Sequence, residues 1–283
     1  MDNIVKSVIA ALVYIIAAPF VGALLAGVDR KITARMQGRR GPSVLQPFWD
    51  VEKLLKKETK TINRVQILYL MSFLIFVVIT GALFFGGYDL LLVFFTLTTA
   101  NIFLVIAASS GHSPMVLITV IGLYCVTGNF KVSQIVISDN LPPVVYLLGI
   151  FVGFMFILTI KLRKHPFDLS TSHHAHQELV KGLTTEFNGQ MFAIVEISHW
   201  YENVFLLGVL ALFFLHGNGT SVSPISIIIT IIALAVCYFI EILIDNTNAR
   251  LKWDQMLKSA WIVTAVLGAL NLIILEVVIG GMK

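Results

Sequence analysis

The segment His165–Glu202, HPFDLSTSHHAHQELVKGLTTEFNGQMFAIVEISHWYE, interrupts an otherwise largely apolar chain. It holds five of the seven histidines and five of the sixteen acidic residues. The last two of these acids, Glu196 and Glu202, run into an apolar stretch long enough for a membrane helix. A charge at membrane depth costs several kcal/mol unless it is paired. We therefore expect the function of the chain to depend on this segment.

The composition outside this segment is that of a membrane protein. The chain is 57% hydrophobic and 13% charged, whereas a soluble domain averages roughly a quarter charged residues. The basic residues lie between apolar runs, as topology signals do, so no nucleic-acid partner is expected. The two cysteines, Cys125 and Cys237, lie inside apolar runs and form no Cys-x-x-Cys motif. Neither an iron–sulfur cluster nor a structural zinc site is therefore expected in this chain.

The apolar runs predict an all-α integral membrane protein with about eight transmembrane helices. The predicted spans are about 4–28, 65–85, 89–109, 141–161, 187–215, 223–244 and 259–280, with a shorter one at 115–127. The first run lacks a clear cleavage site, so it is expected to remain as a span.

The distribution of basic residues predicts the orientation of these spans. With an outer N-terminus, the inner loops are 29–64, 108–114, 161–186 and 245–258. All 20 lysines and arginines lie in these loops except Lys6, Lys131 and Lys283. By the positive-inside rule, both termini are outside and the large loops are cytoplasmic in a plasma-membrane protein.

The first inner loop contains two distinct features. DRKITARMQGRRGP, residues 29–42, forms a compact basic turn that is either an orientation signal or a docking surface for a partner subunit. Residues 47–58 place Phe48, Val51, Leu54 and Leu55 on one helical face, which predicts an amphipathic helix in the membrane interface.

The polar residues of the inner face and the sixth span have the composition of a proton or ion relay. Glu196, His199 and Glu202 recur at i, i+3 and i+6, which keeps them within one broad helical face. The other relay candidates are Glu241 and Asp245 in span seven and Asp168, Glu178 and Glu186 in the loop before span six.

Other roles for these side chains remain open. His173-His174-x-His176 could bind a metal or form a solvated turn, and no cysteine or second ligand pair accompanies it. Glu196 and Glu202 could instead pair with basic residues of another subunit. No nucleophile motif, phosphate loop or dinucleotide fingerprint is present, so no catalytic residue is predicted.

Three motifs together resemble one family of membrane proteins. They are DRKITARMQGRRGP with QPFWDVEKLLKKE, then PFDL…ELVKG…EFNGQMFA, and ARLKWDQMLKSAW before the last span. They are similar to the H-type membrane subunit of respiratory complex I and its counterpart in group 4 membrane-bound [NiFe] hydrogenases. Complex I members resemble PFDLPEAESELV in the middle motif. PFDLSTSHHAHQELV here is closer to the B-type membrane subunit of the energy-converting (Ech-type) hydrogenases.

The resemblance implies a non-catalytic subunit of a multisubunit oxidoreductase and ion pump. The implied partners are the hydrogenase large and small subunits, an iron–sulfur ferredoxin-like subunit and an antiporter-like membrane subunit, with ferredoxin as electron donor. The [NiFe] centre and the iron–sulfur clusters would belong to those partners. Residues implied at the docking surface are Arg35, Arg39, Arg40, Asp50, Lys53, His173, His174, His176, Arg250 and Asp254.

The chain departs from the family pattern in two places. Relatives in complex I place a glutamate nearer position 199, where this chain has His199. After Pro114, the family has an inner loop with an arginine and a helix with a Tyr-Glu pair, whereas Met115 here begins a short apolar run. Either the chain is a shortened variant, or a segment is missing between Pro114 and Met115.

Two other functions compete with the hydrogenase hypothesis. A quinone-site subunit of a complex I-like dehydrogenase would lack the SHHAH segment. A self-sufficient secondary transporter would show internal repeats with paired broken helices.

Overall fold

A computed structural model describes residues 2–57, 64–107, 114–138, 141–162, 187, 189–219, 221–248 and 253–280. These residues form helices and connecting turns, with isolated bridges at Asp89–Lys131 and Gly217–Val222. The helices are α1 (Asp2–Met36), α2 (Gln46–Lys56), α3 (Arg64–Phe85), α4 (Leu90–Ala107), α5 (Pro114–Thr127), α6 (Val132–Ile137), α7 (Pro143–Tyr146), α8 (Leu148–Lys161), α9 (Gln190–Ala211), α10 (Pro224–Thr247), α11 (Trp253–Val263) and α12 (Leu270–Gly280). A π-helical segment, Thr264–Ala269, joins α11 to α12.

The all-helical class predicted from the sequence is confirmed. Each of the eight apolar runs contains a helix, and four helical segments are long and apolar enough to cross a bilayer: Ile4–Met36, Ile67–Phe85, Pro224–Thr247 and Lys258–Val277. Shorter apolar helices occupy Leu90–Phe103, Ile118–Thr127 and Leu148–Lys161. The chain is a multi-pass membrane protein.

Helix α1 continues well beyond the predicted end of the first span. It extends to Met36, so the first basic residues of the inner loop are helical. Gly38 then adopts a φ of 70°, and its N–H donates to the Arg35 carbonyl at 3.0 Å. The Arg39 N–H donates to the Ala34 carbonyl at 2.8 Å. This pair of bonds is a Schellman motif, which a glycine in the left-handed region permits.

The predicted span 141–161 contains two helices, α7 and α8, which are separated at Leu147. α7 ends at Tyr146, and Leu147 has φ −109° and ψ 30° before α8 begins. The interruption is stabilised by Asn271, whose Nδ2 donates to the Tyr146 carbonyl oxygen at 3.2 Å. Gly149 allows the close approach, because an added Cβ would lie 2.9 Å from the Leu267 carbonyl oxygen.

Helix α5 is short, as its apolar run indicates. It has 14 residues and therefore rises about 21 Å, less than the thickness of a bilayer core. It includes both Pro114 and Met115, so the two residues between which a missing segment was considered belong to one helix.

The chain divides into two compact units. The first comprises Met1–Gly86, Phe95–His112 and Asp168–Phe205, and the second comprises the remaining residues. In the first unit, α1 packs against α3 and α2. In the second unit, α8 packs against α5, α10 and the π-helical segment. The polar side chains predicted on span six belong to the first unit.

Candidate functional site

Helix α9 brings a buried polar pair into the first unit. Its apolar residues Met191 and Val195 join a core with Phe73 of α3, and Ala193 allows close packing on the adjoining face. His199 and Glu202 follow one to two turns further along α9. Both are buried by the same packing, with His199 8% exposed and Glu202 5% exposed.

His199 and Glu202 contact each other directly. His199 Nδ1 lies 3.3 Å from Glu202 Oε2, a distance at which a protonated Nδ1 donates to the carboxylate. The Phe73 ring centroid lies 6.1 Å from the imidazole centroid, so one side of the pair is apolar. An imidazole and a carboxylate in such surroundings can hold one proton between them and exchange it when nearby charge changes.

Two tyrosines secure the helices that carry this pair. The Tyr14 hydroxyl of α1 donates to the Tyr201 carbonyl oxygen at 3.0 Å, and the Tyr201 hydroxyl donates to the Ile15 carbonyl oxygen at 2.7 Å. Each ring thus bonds to the backbone of the other helix. Because Tyr201 immediately precedes Glu202, this reciprocal bonding, which we call the tyrosine lock, restricts the position of the carboxylate.

Helix α3 contains a slot that accommodates Tyr14. A Cβ added at Gly81 would lie 2.1 Å from the Tyr14 hydroxyl oxygen, so any larger residue would displace the ring. Phe85, four residues further along α3, stacks on Tyr14 with a centroid distance of 4.8 Å. The glycine and the aromatic side chain therefore define where the Tyr14 hydroxyl lies.

Helix α2 packs against α1 and α9, as its amphipathic pattern suggests. Val51 is buried with Ala23 and Trp200, and Phe48 and Leu54 pack against this group. The Phe48 ring centroid lies 5.7 Å from that of Trp200. Leu55, the fourth residue of the predicted apolar face, is 46% exposed and does not join this group.

The remaining relay candidates differ in their burial and in the unit to which they belong. Glu196 is half-buried, one turn before His199 on α9. Glu241 of α10 is fully buried, and Asp245 is partly exposed one turn later, both in the second unit. The candidates outside the described residues are Asp168, Glu178 and Glu186. The structure thus joins two of the predicted relay residues, His199 and Glu202, in a direct contact.

The predicted docking residues near α1 and α2 fall into two groups. Asp50 accepts a hydrogen bond from Arg30 Nη1 at 2.7 Å and another from Gln46 Nε2 at 2.8 Å, so its carboxylate is engaged within the chain. The other four are exposed: Arg35, Arg39, Arg40 and Lys53. Arg39 bonds to the Gln37 side chain. His173, His174, His176 and Arg250 lie outside the described residues, and of Asp254 only the helical backbone is described.

The sequence offered no signal for the tyrosine lock. Tyr14 stands in an apolar run of ordinary composition, and its partner is 187 positions away. Gly81 likewise resembles any small residue of a membrane helix. Among the described residues, no group of three or more histidine, cysteine or acidic side chains is arranged to hold a metal ion.

The fold and this interior define an all-helical, multi-pass membrane protein with a buried imidazole–carboxylate pair. The chain belongs to the NADH dehydrogenase family, whose model matches residues 9–119 and 107–276. The two matched stretches meet around the start of α5, where the sequence departs from the family pattern.

Relatives of different kinds are similar to this chain at comparable levels. The H-type subunit of NADH-quinone oxidoreductase from Ehrlichia ruminantium (strain Gardel) is 26% identical over 301 residues, covering 84% of this chain and 80% of the relative. Hydrogenase-4 component C of Escherichia coli (strain K12) is 24% identical over 278 residues, covering 84% and 87%. Formate hydrogenlyase subunit 4 of the same organism is 25% identical over 301 residues, covering 92% and 94%.

A solved structure shares the fold. A chain of the archaeal membrane-bound sulfane sulfur reductase, described as a respiratory membrane complex, matches with a TM-score of 0.73 and 22% identity. The match covers 95% of this chain and 99% of that chain, so the two proteins have the same architecture over nearly their whole length.

Proposed function

We propose that this chain is the membrane-anchor subunit of an energy-converting [NiFe] hydrogenase complex. In this role it docks the soluble electron-transfer arm and couples hydrogen evolution or uptake to H⁺ or Na⁺ translocation. The redox centres belong to the hydrogenase large and small subunits and the ferredoxin-like subunit, and an antiporter-like subunit lies beside it in the membrane. The buried His199–Glu202 pair is the observation that supports this function best.

The pair supports coupling because its proton occupancy responds to charge. A carboxylate 3.3 Å from an imidazole stabilises the protonated ring, whereas burial opposes any net charge. A redox change in a docked subunit alters the potential at the pair. The shared proton then moves between His199 Nδ1 and Glu202 Oε2. The tyrosine lock keeps the two atoms within hydrogen-bond reach during this exchange.

Two kinds of observation favour a hydrogenase-type complex. Hydrogenase-4 component C and formate hydrogenlyase subunit 4 are similar to most of the chain. The middle motif also has the SHHAH segment typical of energy-converting hydrogenases in place of the acidic complex I motif.

The second candidate is the quinone-site subunit of a complex I-like NADH or ferredoxin dehydrogenase. The similarity to the H-type subunit of NADH-quinone oxidoreductase is as high as that to the hydrogenase-related proteins, so identity alone does not favour either function.

Affinity purification in mild detergent, with a tag on this chain, tests the choice. We expect nickel and iron–sulfur proteins to co-purify and the preparation to evolve hydrogen from reduced ferredoxin. Iron–sulfur subunits without nickel, together with quinone reductase activity, would support the complex I-like alternative. A chain that purifies alone in active form would overturn both.

Glu202→Gln tests the role of the buried pair within the purified complex. The substitution keeps the size and a hydrogen-bonding group but removes the charge that accompanies proton exchange. We expect ion translocation in proteoliposomes to fall at least tenfold, while hydrogen evolution by the detergent-solubilised complex falls much less. The matched control is Glu276→Gln, which changes an exposed glutamate of α12. Equal translocation by both variants would exclude the pair from coupling.

A further inference from the structure

Helix α2 lies at the level where the apolar part of α1 ends. Phe48 contacts Phe20 at a centroid distance of 5.9 Å, within the apolar stretch of α1. Asp50 bonds instead to Arg30, which follows that stretch. A helix that contacts both sides of this transition lies at the boundary between hydrocarbon and water.

One edge of α2 faces away from the packed side. We define this outer edge by four exposed residues spaced four apart: Trp49 and Lys53 within the helix, Leu45 immediately before it, and Lys57, whose backbone is extended, immediately after it. At this spacing Trp49 and Lys53 occupy neighbouring positions along one side of the helix. The side chain of Val51, in contrast, is directed into the protein. Trp49 is 47% exposed although it is the largest side chain of the helix.

The outer edge changes character along its length. Leu45 and Trp49 at its start are apolar, and tryptophan favours the interfacial zone of a bilayer. Lys53 and Lys57 at its end are basic, and long basic side chains reach phosphate groups while their stems remain in apolar surroundings. An apolar start followed by a basic end matches the change in a leaflet from acyl chains to phosphate-bearing headgroups.

The acidic residues of α2 do not neutralise this edge. Asp50 is paired with Arg30, and Glu52 accepts a hydrogen bond from Lys56 Nζ at 2.5 Å. The Lys56 ammonium group lowers the pKa of Glu52 through that hydrogen bond and through its charge. Lys53 and Lys57 add positive charge beyond these two pairs, so the edge favours an anionic ligand.

We propose that the outer edge of α2 binds an anionic phospholipid of the adjacent leaflet. Leu45 and Trp49 contact the upper acyl chains, and Lys53 and Lys57 contact the phosphate-bearing headgroup. A soluble protein is a poorer match, because the contacts of α2 with Phe20 and Ala23 place it beside the apolar stretch of α1. The proposal does not rest on the identity of the redox partners, but it assigns Lys53, which the family resemblance implies at the docking surface, to the lipid headgroup instead.

Tryptophan fluorescence of the intact complex in nanodiscs tests the position of Trp49. The chain has four tryptophans, so the wild-type spectrum minus that of Trp49→Phe isolates its contribution. We expect lipids brominated in the acyl chain to quench this difference signal and aqueous iodide to leave it largely unchanged. Quenching by iodide alone would place Trp49 in water, and protection from both quenchers would indicate a covering protein. Either result would overturn the proposal.

The choice of headgroup tests the basic part of the edge. At equal mole fraction, brominated phosphatidylglycerol should quench Trp49 more than brominated phosphatidylcholine. Lys53→Gln combined with Lys57→Gln should reduce this preference roughly tenfold or more. The matched control, Lys6→Gln combined with Lys131→Gln, removes two charges elsewhere and should retain it. Equal quenching by the two lipids in the wild type would exclude an anionic-lipid site.

Discussion

At the scale of single residues, the interior is organised by polar groups that hold one another in place. His199 and Glu202 contact each other within one turn of α9. Tyr14 and Tyr201 each donate to a backbone carbonyl of the opposite helix. In a membrane, such interhelical bonds supplement packing, since lipid provides no hydrophobic drive for helices to associate. The two pairs therefore keep the polar interior in one arrangement.

Tyr14→Phe tests the tyrosine lock. The variant removes the donor to the Tyr201 carbonyl but retains the ring between Gly81 and Phe85, so we expect a loss of about 1 kcal/mol in the free energy of unfolding. Unfolding by denaturing detergent in mixed micelles would measure it.

The control for this substitution is Tyr88→Phe, at a tyrosine that is 44% exposed. It removes a hydroxyl from the periphery and should change the unfolding free energy by much less. Equal losses in the two variants would show that the Tyr14 hydrogen bond contributes no specific stability.

At the scale of helices, local sequence and tertiary contacts determine different properties. The Schellman motif at Gly38 ends α1 through local backbone geometry alone. The interruption at Leu147, by contrast, depends on Asn271 from a distant helix. Asn271 follows a π-helical segment, and such segments often shift the register of side chains within a membrane helix.

Asn271→Ala tests the interruption between α7 and α8. The substitution removes the donor to the Tyr146 carbonyl oxygen. Tyr146 is the last residue of α7, so this carbonyl lies at a helix end. We expect a loss of roughly 1–2 kcal/mol in unfolding free energy. Amide hydrogen exchange around residues 143–149 should also accelerate.

Asn248→Ala is the matched control for this element. Asn248 is exposed, and its Nδ2 donates to the Ile244 carbonyl oxygen within its own helix end at 3.0 Å. The control should leave exchange near α7 unchanged. If both variants behaved alike, the asparagine bond would not be what stabilises the interruption.

At the scale of the whole molecule, charge and apolar length predict how the chain crosses the membrane. Long helices such as α1 and α10 have the length and composition of spans. The basic residues cluster in the loops predicted to be cytoplasmic. The orientation therefore remains a prediction from charge, distinct from the helical fold itself.

Cysteine labelling in intact cells tests this orientation. In a background without Cys125 and Cys237, Asn218→Cys places a thiol in a predicted outer loop, and Arg39→Cys places one in a predicted inner loop. A membrane-impermeant maleimide should label position 218 in intact cells and position 39 only after permeabilisation. The unsubstituted background controls for nonspecific reaction, and the reverse pattern would invert the predicted topology.

Much of the candidate site was accessible to sequence reasoning because its pattern is local. The spacing of Glu196, His199 and Glu202 places them on one side of a helix, and the apolar residues around them predict its burial. The pattern did not distinguish which member would be most buried. The structure assigns that position to Glu202, which is 5% exposed, whereas Glu196 is only half-buried.

Composition and periodicity were sufficient to predict the helical membrane class, the amphipathic character of α2 and the common helix of the buried pair. These properties follow from composition and from periodicities within a few residues. The partner of Tyr14, the pairing of Asp50 with Arg30 and the interruption stabilised by Asn271 became known from the folded chain. Each depends on which backbone or side-chain atom of another segment comes within hydrogen-bond distance, and no local pattern specifies that neighbour.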